Sequence, residues 1–262
     1  MAIDKRKIGG YTEKRVRKMT RSLSWALVAL VLSLPFTQAF AANLNSSLIT
    51  AVKQGQESSA LSFLSQGANP NAFDSYGYTA TMWAVSRGNP ALLSALLKAG
   101  GDLKHVPASF NPVIEAAKAG NSGNISLLSS LGYSVSSPDA LGNTALMYAA
   151  VIGSTSSVQA LLSEKANINA QDIHGQTALI KSAQNGNAAM VSFLASNGAD
   201  INAQDHFGYS ALMWAAHNGQ LPVVQALLSS HALTSLEGRD GMTALTIAQK
   251  RGYTQIATIL KG

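Results

Sequence analysis

Short apolar segments alternate with polar, glycine-bearing turns along most of the chain, and the alternation is most regular between residues 139 and 204. In each copy an apolar segment such as Ala-Leu-Met precedes a second segment of the form Val-x-x-Leu-Leu, and a polar tail leads to the next copy. The turns begin at Asp139, Asp172 and Asp205, which lie 33 residues apart. A fixed period of this length indicates a solenoid of stacked repeats.

The repeated residues resemble the ankyrin repeat. Three copies open with Asp139-Ala-Leu-Gly-Asn-Thr-Ala-Leu-Met, Asp172-Ile-His-Gly-Gln-Thr-Ala-Leu-Ile and Asp205-His-Phe-Gly-Tyr-Ser-Ala-Leu-Met. The usual Thr-Pro-Leu-His of that family is replaced here by Thr-Ala-Leu-Met or a near variant. The resemblance implies an all-α solenoid whose units each contain a finger turn, two short antiparallel helices and a return loop.

The resemblance covers nearly all of residues 44–262 and predicts seven units. The terminal units carry polar residues among the apolar ones of one helix, as caps with a solvent-facing side must. We expect the units near residues 44–72, 74–106, 107–138, 139–171, 172–204, 205–237 and 238–262.

The third unit, 107–138, is degenerate. Ala108-Ser109-Phe110 stands where the Asp-x-x-Gly turn is expected, although Asn111-Pro112 still supplies an N-cap followed by a proline that suits the first helical turn. We expect this unit to be the least stable interior repeat and a candidate hinge, with simple divergence as the alternative. Because it contributes no finger, it is expected to split any finger surface in two.

Recurring residues explain how such a unit folds. The turn Asp can accept hydrogen bonds from amides two residues on, and the turn Gly adopts a positive φ. Leu-Leu pairs should fill the space between layers, so that Leu162→Ala is expected to cost roughly 2–5 kcal/mol. A Thr or Ser stands where the first helix needs an N-cap, at Thr79, Thr144, Thr177, Ser210 and Thr243.

Residues 1–41 have the order of a secretory signal peptide: a basic region, the apolar run 22–34, and small residues at Ala39 and Ala41 before a cut. We therefore expect a mature domain of residues 42–262 in the periplasm or secreted, with no membrane span. An uncleaved inner-membrane anchor is the alternative, although the run is short for a span of about 20 residues. Translation from Met19 would give a more compact leader.

The net charge of +6 is a property of this leader. Residues 1–41 contain eight Lys or Arg and two acids, which leaves eleven of each sign in residues 42–262. A neutral body without a basic run offers little to a phosphate backbone, so we expect no nucleic-acid partner. The absence of cysteine excludes a disulfide framework, a thiolate nucleophile and a Cys-based zinc site.

No catalytic or cofactor motif is present, and we expect no enzyme, no cofactor and no metal site. The periodic Asp residues are interpreted as turn residues. His206 and His217 could approach one another, which leaves an enzyme or metal binder with an unrecognised His/Asp site as an alternative. Trp83, Tyr148 and Trp214 share one position of the first helix, where we expect core residues, with a ligand-stacking stripe as the alternative.

In ankyrin arrays the fingers and the inner helix ends form a concave surface that grips a partner protein. The resemblance places on that surface Tyr76, Tyr78, Arg87, Leu141, Asn143, His174, Gln176, His206, Phe207, Tyr209, His217, Asn218, Arg239 and Met242, and also Val151, Ile152 and Ile173. Tyr and Arg at such tips are types enriched in interface hot spots. The alternative is background variation at finger tips.

The sequence therefore predicts an exported, monomeric, non-catalytic module that binds a protein partner through its concave surface. A more specific alternative is an accessory factor that protects or assembles a periplasmic enzyme. The fold alone names no partner.

Overall fold

The computed structural model of the protein describes residues 41–104 and 106–262. The expected leader, including Ala39, lies outside the described residues, as does His105. Ala41 is exposed and helical. The described helices are α1 (41–53), α2 (Glu57–Ser65), α3 (Ala80–Arg87), α4 (Pro90–Lys98), α5 (Pro112–Lys118), α6 (Ser122–Ser130), α7 (Ala145–Ile152), α8 (Thr155–Ser163), α9 (Ala178–Gln184), α10 (Ala188–Ser196), α11 (Ala211–His217), α12 (Leu221–Ser229), α13 (Ala244–Arg251) and α14 (Thr254–Leu260).

These helices form the predicted all-α solenoid. From α3 onwards, each odd-numbered helix packs against its even-numbered successor, and successive odd-numbered helices from α3 to α13 pack against one another. In a second layer, α2, α4, α6 and α8 pack in succession, as do α10, α12 and α14. Each unit thus buries its apolar side against its neighbours, which is the stacking that a repeat array requires.

The first helix of each complete unit begins as predicted. The Thr79 hydroxyl, for example, accepts a hydrogen bond from the amide of Met82 at 3.1 Å. Gly88 ends the same helix with a left-handed φ of 70°, a conformation that a side chain disfavours. Equivalent N-caps are formed by Thr144, Thr177, Ser210 and Thr243.

The core position within each Leu-Leu pair differs from our expectation. Leu161 is fully buried, whereas Leu162, the next residue around α8, is half-buried. Consecutive helical residues point about 100° apart, and in α8 it is Leu161 that faces the layer interior. The large cost of truncation therefore belongs to Leu161 rather than Leu162.

The third unit forms both helices despite its missing finger. The Asn111 side chain accepts from the amides of Val113 and Ile114, at 3.0 and 3.2 Å, and so starts α5 as predicted. Phe110, from the segment that replaces the finger, is buried and lies edge-on to the ring of Tyr78, with centroids 5.6 Å apart. The shortened segment thus packs onto the second unit rather than projecting.

In the part of the chain that the structure describes, every helix is too short or too polar to cross a membrane.

Candidate partner-binding surface

Each complete finger is built on one oxygen of its aspartate. Oδ1 of Asp139 accepts from the amides of Leu141 and Asn143, both at 2.9 Å, and thereby closes the turn. Asp74, Asp172 and Asp205 make the same two bonds in their own fingers. The predicted role of the turn aspartate is therefore correct.

The second oxygen of each aspartate binds a side chain of the first helix, a contact that the sequence did not lead us to expect. Oδ2 accepts from a residue nine positions later: the Trp83 indole at 2.9 Å, the Tyr148 hydroxyl at 2.7 Å, the Lys181 ammonium at 2.8 Å and the Trp214 indole at 2.7 Å. Trp83, Tyr148 and Trp214 are half-buried against the core rather than within it. The recurrence of a donor nine residues after each Asp is the signal that could have revealed this.

These hydrogen bonds shift the pKa values of Asp74 and of Tyr148. Burial by itself would raise the pKa of Asp74, but the Lys53 ammonium at 2.7 Å, the Tyr78 and Tyr76 amides and the Trp83 indole together lower the pKa to about 2. Lys53 also lies 4.5 Å from the centroid of the Trp83 ring. Burial and the bond to Asp139 raise the pKa of Tyr148 to about 12. The second finger is thus fixed by charge as well as by its turn.

The last four fingers are joined into one strip. The amide of Ile173 donates to the carbonyl of Leu141 at 3.1 Å, and the amide of His206 donates to the carbonyl of His174 at 2.9 Å. The amide of Arg239 donates to the carbonyl of Phe207 at 2.9 Å. We call this strip, formed by residues 139–142, 172–175, 205–208 and 238–241, the finger ladder.

Close approach between fingers depends on their glycines. A Cβ at Gly142 would lie 2.9 Å from the nitrogen of Ile173 and 3.0 Å from Cα of Asp172, closer than real Cβ atoms approach other atoms. A Cβ at Gly77, in the finger of the second unit, would meet nothing within 4 Å. The second finger therefore has no neighbour of the kind that the ladder fingers have.

A cleft of about 570 Å³ opens beside the shortened third finger. Its walls include Phe110 and Tyr133 of the third unit and Leu141 of the first ladder finger. Within the described residues, no hydrogen bond from the finger of the second unit reaches the ladder. The row of fingers is thus interrupted at the third unit and has two parts, as the sequence predicted.

The return loops show the same interruption. Asn71, Asn169 and Asn202 each accept, through the side-chain oxygen, an amide of the next return loop at 2.8–2.9 Å. At the equivalent positions around the third unit stand Lys104 and Ser136, and across the described loops neither makes this bridge. The third unit is therefore joined to its neighbours by helix packing and by other side-chain hydrogen bonds, such as those from Asn124 to the carbonyl of Ala84 and from Ser154 to the carbonyl of Gly120.

The candidate partner residues divide by exposure. Those exposed to solvent are Tyr76, Arg87, Leu141, His174, His206, Phe207, Asn218 and Arg239. Those half-buried are Tyr78, Asn143, Gln176, Tyr209, His217 and Met242. Their contact with a partner stays a prediction.

Several half-buried candidates have structural partners of their own. Tyr78 packs on Trp83 with ring centroids 5.1 Å apart, and the Tyr209 hydroxyl donates to Asp240 at 2.7 Å. The most exposed apolar tips are Tyr76, Leu141, Ile173 and Phe207, with 53–76% of their surface accessible. Phe73, 59% exposed at the base of the second finger, was not predicted as a candidate because it precedes the turn motif.

His206 and His217 line one cleft with Trp214, as the sequence suggested they could. Among the described residues there is no group of three or more His, Cys, Asp or Glu side chains placed to hold a metal ion.

Known proteins with this architecture match the chain. The sequence profile described as "Ankyrin repeats (3 copies)" matches residues 48–139, 113–205 and 197–262. The crystal structure of the ankyrin repeat domain of Bcl-3, described as a unique member of the IkappaB protein family, is similar with a TM-score of 0.67 and 28% sequence identity. That match covers 82% of this chain and 98% of the other. No protein with a curated description matches the chain.

Proposed function

Since this chain belongs to the ankyrin-repeat family, a family of protein-interaction modules, we propose that it binds a partner protein through the finger tips and the inner helix ends. The binding is non-catalytic. The partner is held on a surface that exists before it arrives, so little of the interaction energy is spent on ordering the protein.

The observation that carries this proposal is the row of apolar tips on an ordered backbone. Leu141, Ile173 and Phe207 project from fingers that are hydrogen-bonded to one another. Large apolar side chains at the tips of turns do not stabilise the fold that presents them. Exposed apolar residues grouped in this way mark interaction sites.

The test compares capture by the full chain with capture by a tip variant. The chain carries a C-terminal affinity tag and is expressed in a cell that exports it, and bound proteins are recovered after mild cross-linking. The tip variant changes Tyr76, Leu141, Ile173 and Phe207 to Ser. We leave Tyr78 and Tyr209 unchanged because their contacts with Trp83 and Asp240 hold the fingers.

A control changes three exposed leucines in or just after second helices, Leu61, Leu131 and Leu233, which are 42–51% exposed, to Ser. We expect one protein to be retained by the unmodified chain and by this control, and lost by the tip variant. Equal retention by the tip variant would show that binding uses another face. Circular dichroism of both variants checks that each remains folded.

We further propose that the module acts after export to the periplasm. The support is the order of residues 1–41, with its basic region, apolar run and small residues at Ala39 and Ala41. Cell fractionation followed by N-terminal sequencing tests this. A soluble periplasmic chain that begins at Ala42 is expected, and a full-length chain in the cytoplasm or the membrane would contradict it.

A further inference from the structure

A second cleft, of about 460 Å³, lies between the sixth and seventh units; we call it the aromatic cleft. The rings of Tyr209 and Trp214 meet edge to face with centroids 5.4 Å apart, and the His217 ring lies 5.6 Å from Trp214. Phe207, 61% exposed, forms its lip. The lining residues are His206, Phe207, Tyr209, Trp214, His217, Arg239 and Asp240.

The walls of this cleft are fixed by hydrogen bonds. The Trp214 indole donates to Asp205 and the Tyr209 hydroxyl donates to Asp240, both at 2.7 Å. Burial and the bond to Asp240 raise the pKa of Tyr209 to about 12, so the hydroxyl remains a donor. An aromatic side chain entering the cleft would therefore meet rings that are already oriented.

Both carboxylates at the cleft are occupied by donors of the chain itself. Besides Trp214, Asp205 accepts from the amides of Phe207 and Tyr209 at 2.9 and 3.0 Å. Besides Tyr209, Asp240 accepts from the Met242 amide at 3.1 Å. Asp205 is buried, so Asp240 is the one exposed carboxylate of the cleft lining.

Three exposed cations lie at or beside the cleft, against this one exposed carboxylate. Arg239 is exposed on the rim, Lys250 and Arg251 are exposed on α13, and none of the three forms an ion pair within the described residues. The Arg251 guanidinium donates to Nε2 of His217. Nδ1 of the same imidazole lies 3.1 Å from the side-chain oxygen of Asn218.

We propose that the aromatic cleft binds an acidic segment of the partner protein, in which an aromatic or large aliphatic side chain is flanked by carboxylates. The apolar side chain packs between Phe207 and Trp214, and the carboxylates lie against Arg239 and Arg251. A lysine-rich segment would instead place like charges against these guanidinium groups. This inference rests on the proposed function and names the chemistry of the segment that is bound.

The test uses the full chain labelled with 5-fluorotryptophan. The chain contains three tryptophans, and Trp→Phe variants assign their fluorine resonances. Three blocked peptides are titrated: Glu-Phe-Glu-Gly, Lys-Phe-Lys-Gly and Glu-Gly-Glu-Gly. We expect the first to shift the Trp214 resonance, with an affinity at least fivefold above that of the other two, and to leave the Trp83 resonance unchanged.

Charge variants separate this cleft from the rest of the surface. Arg239→Gln with Arg251→Gln should weaken binding of Glu-Phe-Glu-Gly at least fivefold, whereas Lys98→Gln, an exposed cation of α4 outside the candidate partner-binding residues, should leave it unchanged. Equal binding of the acidic and basic peptides, or no shift at Trp214, would overturn the inference. If no peptide binds as expected while the tip variant still loses its captured protein, the inference about the aromatic cleft is wrong and the proposed function stands.

Discussion

At the scale of single residues, each finger aspartate joins the finger to the helix behind it. One carboxylate oxygen closes the turn through two amides, and the other binds Trp83, Tyr148, Lys181 or Trp214 in the first helix. The turn bonds could be predicted because Asp and Gly have local preferences. The bonds to the helix could not, because the same position holds Trp, Tyr or Lys, residues that share a donor and little else.

The charge of these aspartates should make stability fall in acid. The pKa of Asp74 is depressed in the folded state, so its contribution is complete above the unfolded pKa near 4 and is lost as pH falls towards about 2. The pKa values of Asp139 and Asp172 are also lowered, despite burial, by their bonds to Tyr148 and Lys181. Protonation of any of these three aspartates therefore lowers the stability of the folded chain.

We expect the difference in unfolding free energy between the unmodified chain and Asp74→Asn to shrink by on the order of 1–2 kcal/mol between pH 5 and pH 2. Urea titrations at several pH values measure it. A difference that stays constant over this range would mean that the bonds to Lys53 and Trp83 do not stabilise the charged carboxylate in the folded chain.

Alanine substitutions at two finger glycines distinguish the cost of backbone strain from the cost of a steric clash between fingers. Gly77 and Gly142 have nearly equal φ values, 76° and 77°, so alanine costs each about 1–2 kcal/mol for the left-handed conformation. Only at Gly142 would the new Cβ also collide with the backbone of Asp172 and Ile173.

We therefore expect Gly142→Ala to reduce the free energy of unfolding by at least about 1 kcal/mol more than Gly77→Ala does, the cost of an overpacked contact. Chemical denaturation of the two variants is the measurement. Equal losses would show that the finger ladder accommodates the added Cβ without a further loss of stability. Its fingers would then be less closely held than their hydrogen bonds indicate.

At the scale of elements, the helices follow from the sequence and the connections between units do so only in part. Caps such as Thr79 and Asn111 lie where local chemistry puts them. The bridges between return loops, by contrast, join residues 31 positions apart, so their pattern is visible only when the units are stacked. Around the third unit, where the sequence departs most from the repeat pattern, these bridges are missing.

Restoring one bridge should stabilise this junction. Ser136→Asn places an amide oxygen where Asn169 has one, facing the backbone of the next return loop. A hydrogen bond of this kind contributes about 0.5–1.5 kcal/mol. We expect a gain in that range by chemical denaturation, and a loss of similar size for the reverse change, Asn169→Ser.

If Asn169→Ser destabilises the chain while Ser136→Asn does not stabilise it, the third and fourth units are too far apart for the bridge to form. A weak third unit would then come from its geometry as well as from its residues.

At the scale of the whole molecule, the period of 33 residues was enough to predict the solenoid, because stacking repeats leaves one way to bury their apolar sides. The candidate surface was predicted less completely. Tyr76 and Phe207 are exposed as expected, but Tyr78 and Tyr209 are held in contacts with Phe110 and Asp240 that join different units. Such contacts depend on how units are placed relative to one another, which the sequence of a single unit does not specify.

The surface therefore consists of the continuous finger ladder and the separate second finger, with the third-unit cleft between them. A partner that uses both parts must bridge this cleft, whereas a partner of the ladder alone needs only the last four units. Contact at Tyr76 distinguishes the two arrangements.

The central claim, that the finger tips contact a partner protein, is tested most directly by site-specific photo-cross-linking in the cell. A photoreactive phenylalanine analogue replaces Tyr76, Leu141 or Phe207 in turn, and Leu61 or Leu131 on the second-helix side as controls. We predict one adduct of constant partner mass from Leu141 and Phe207, and none from the controls. Adducts from the control positions alone would contradict the account and place the binding surface on the other layer.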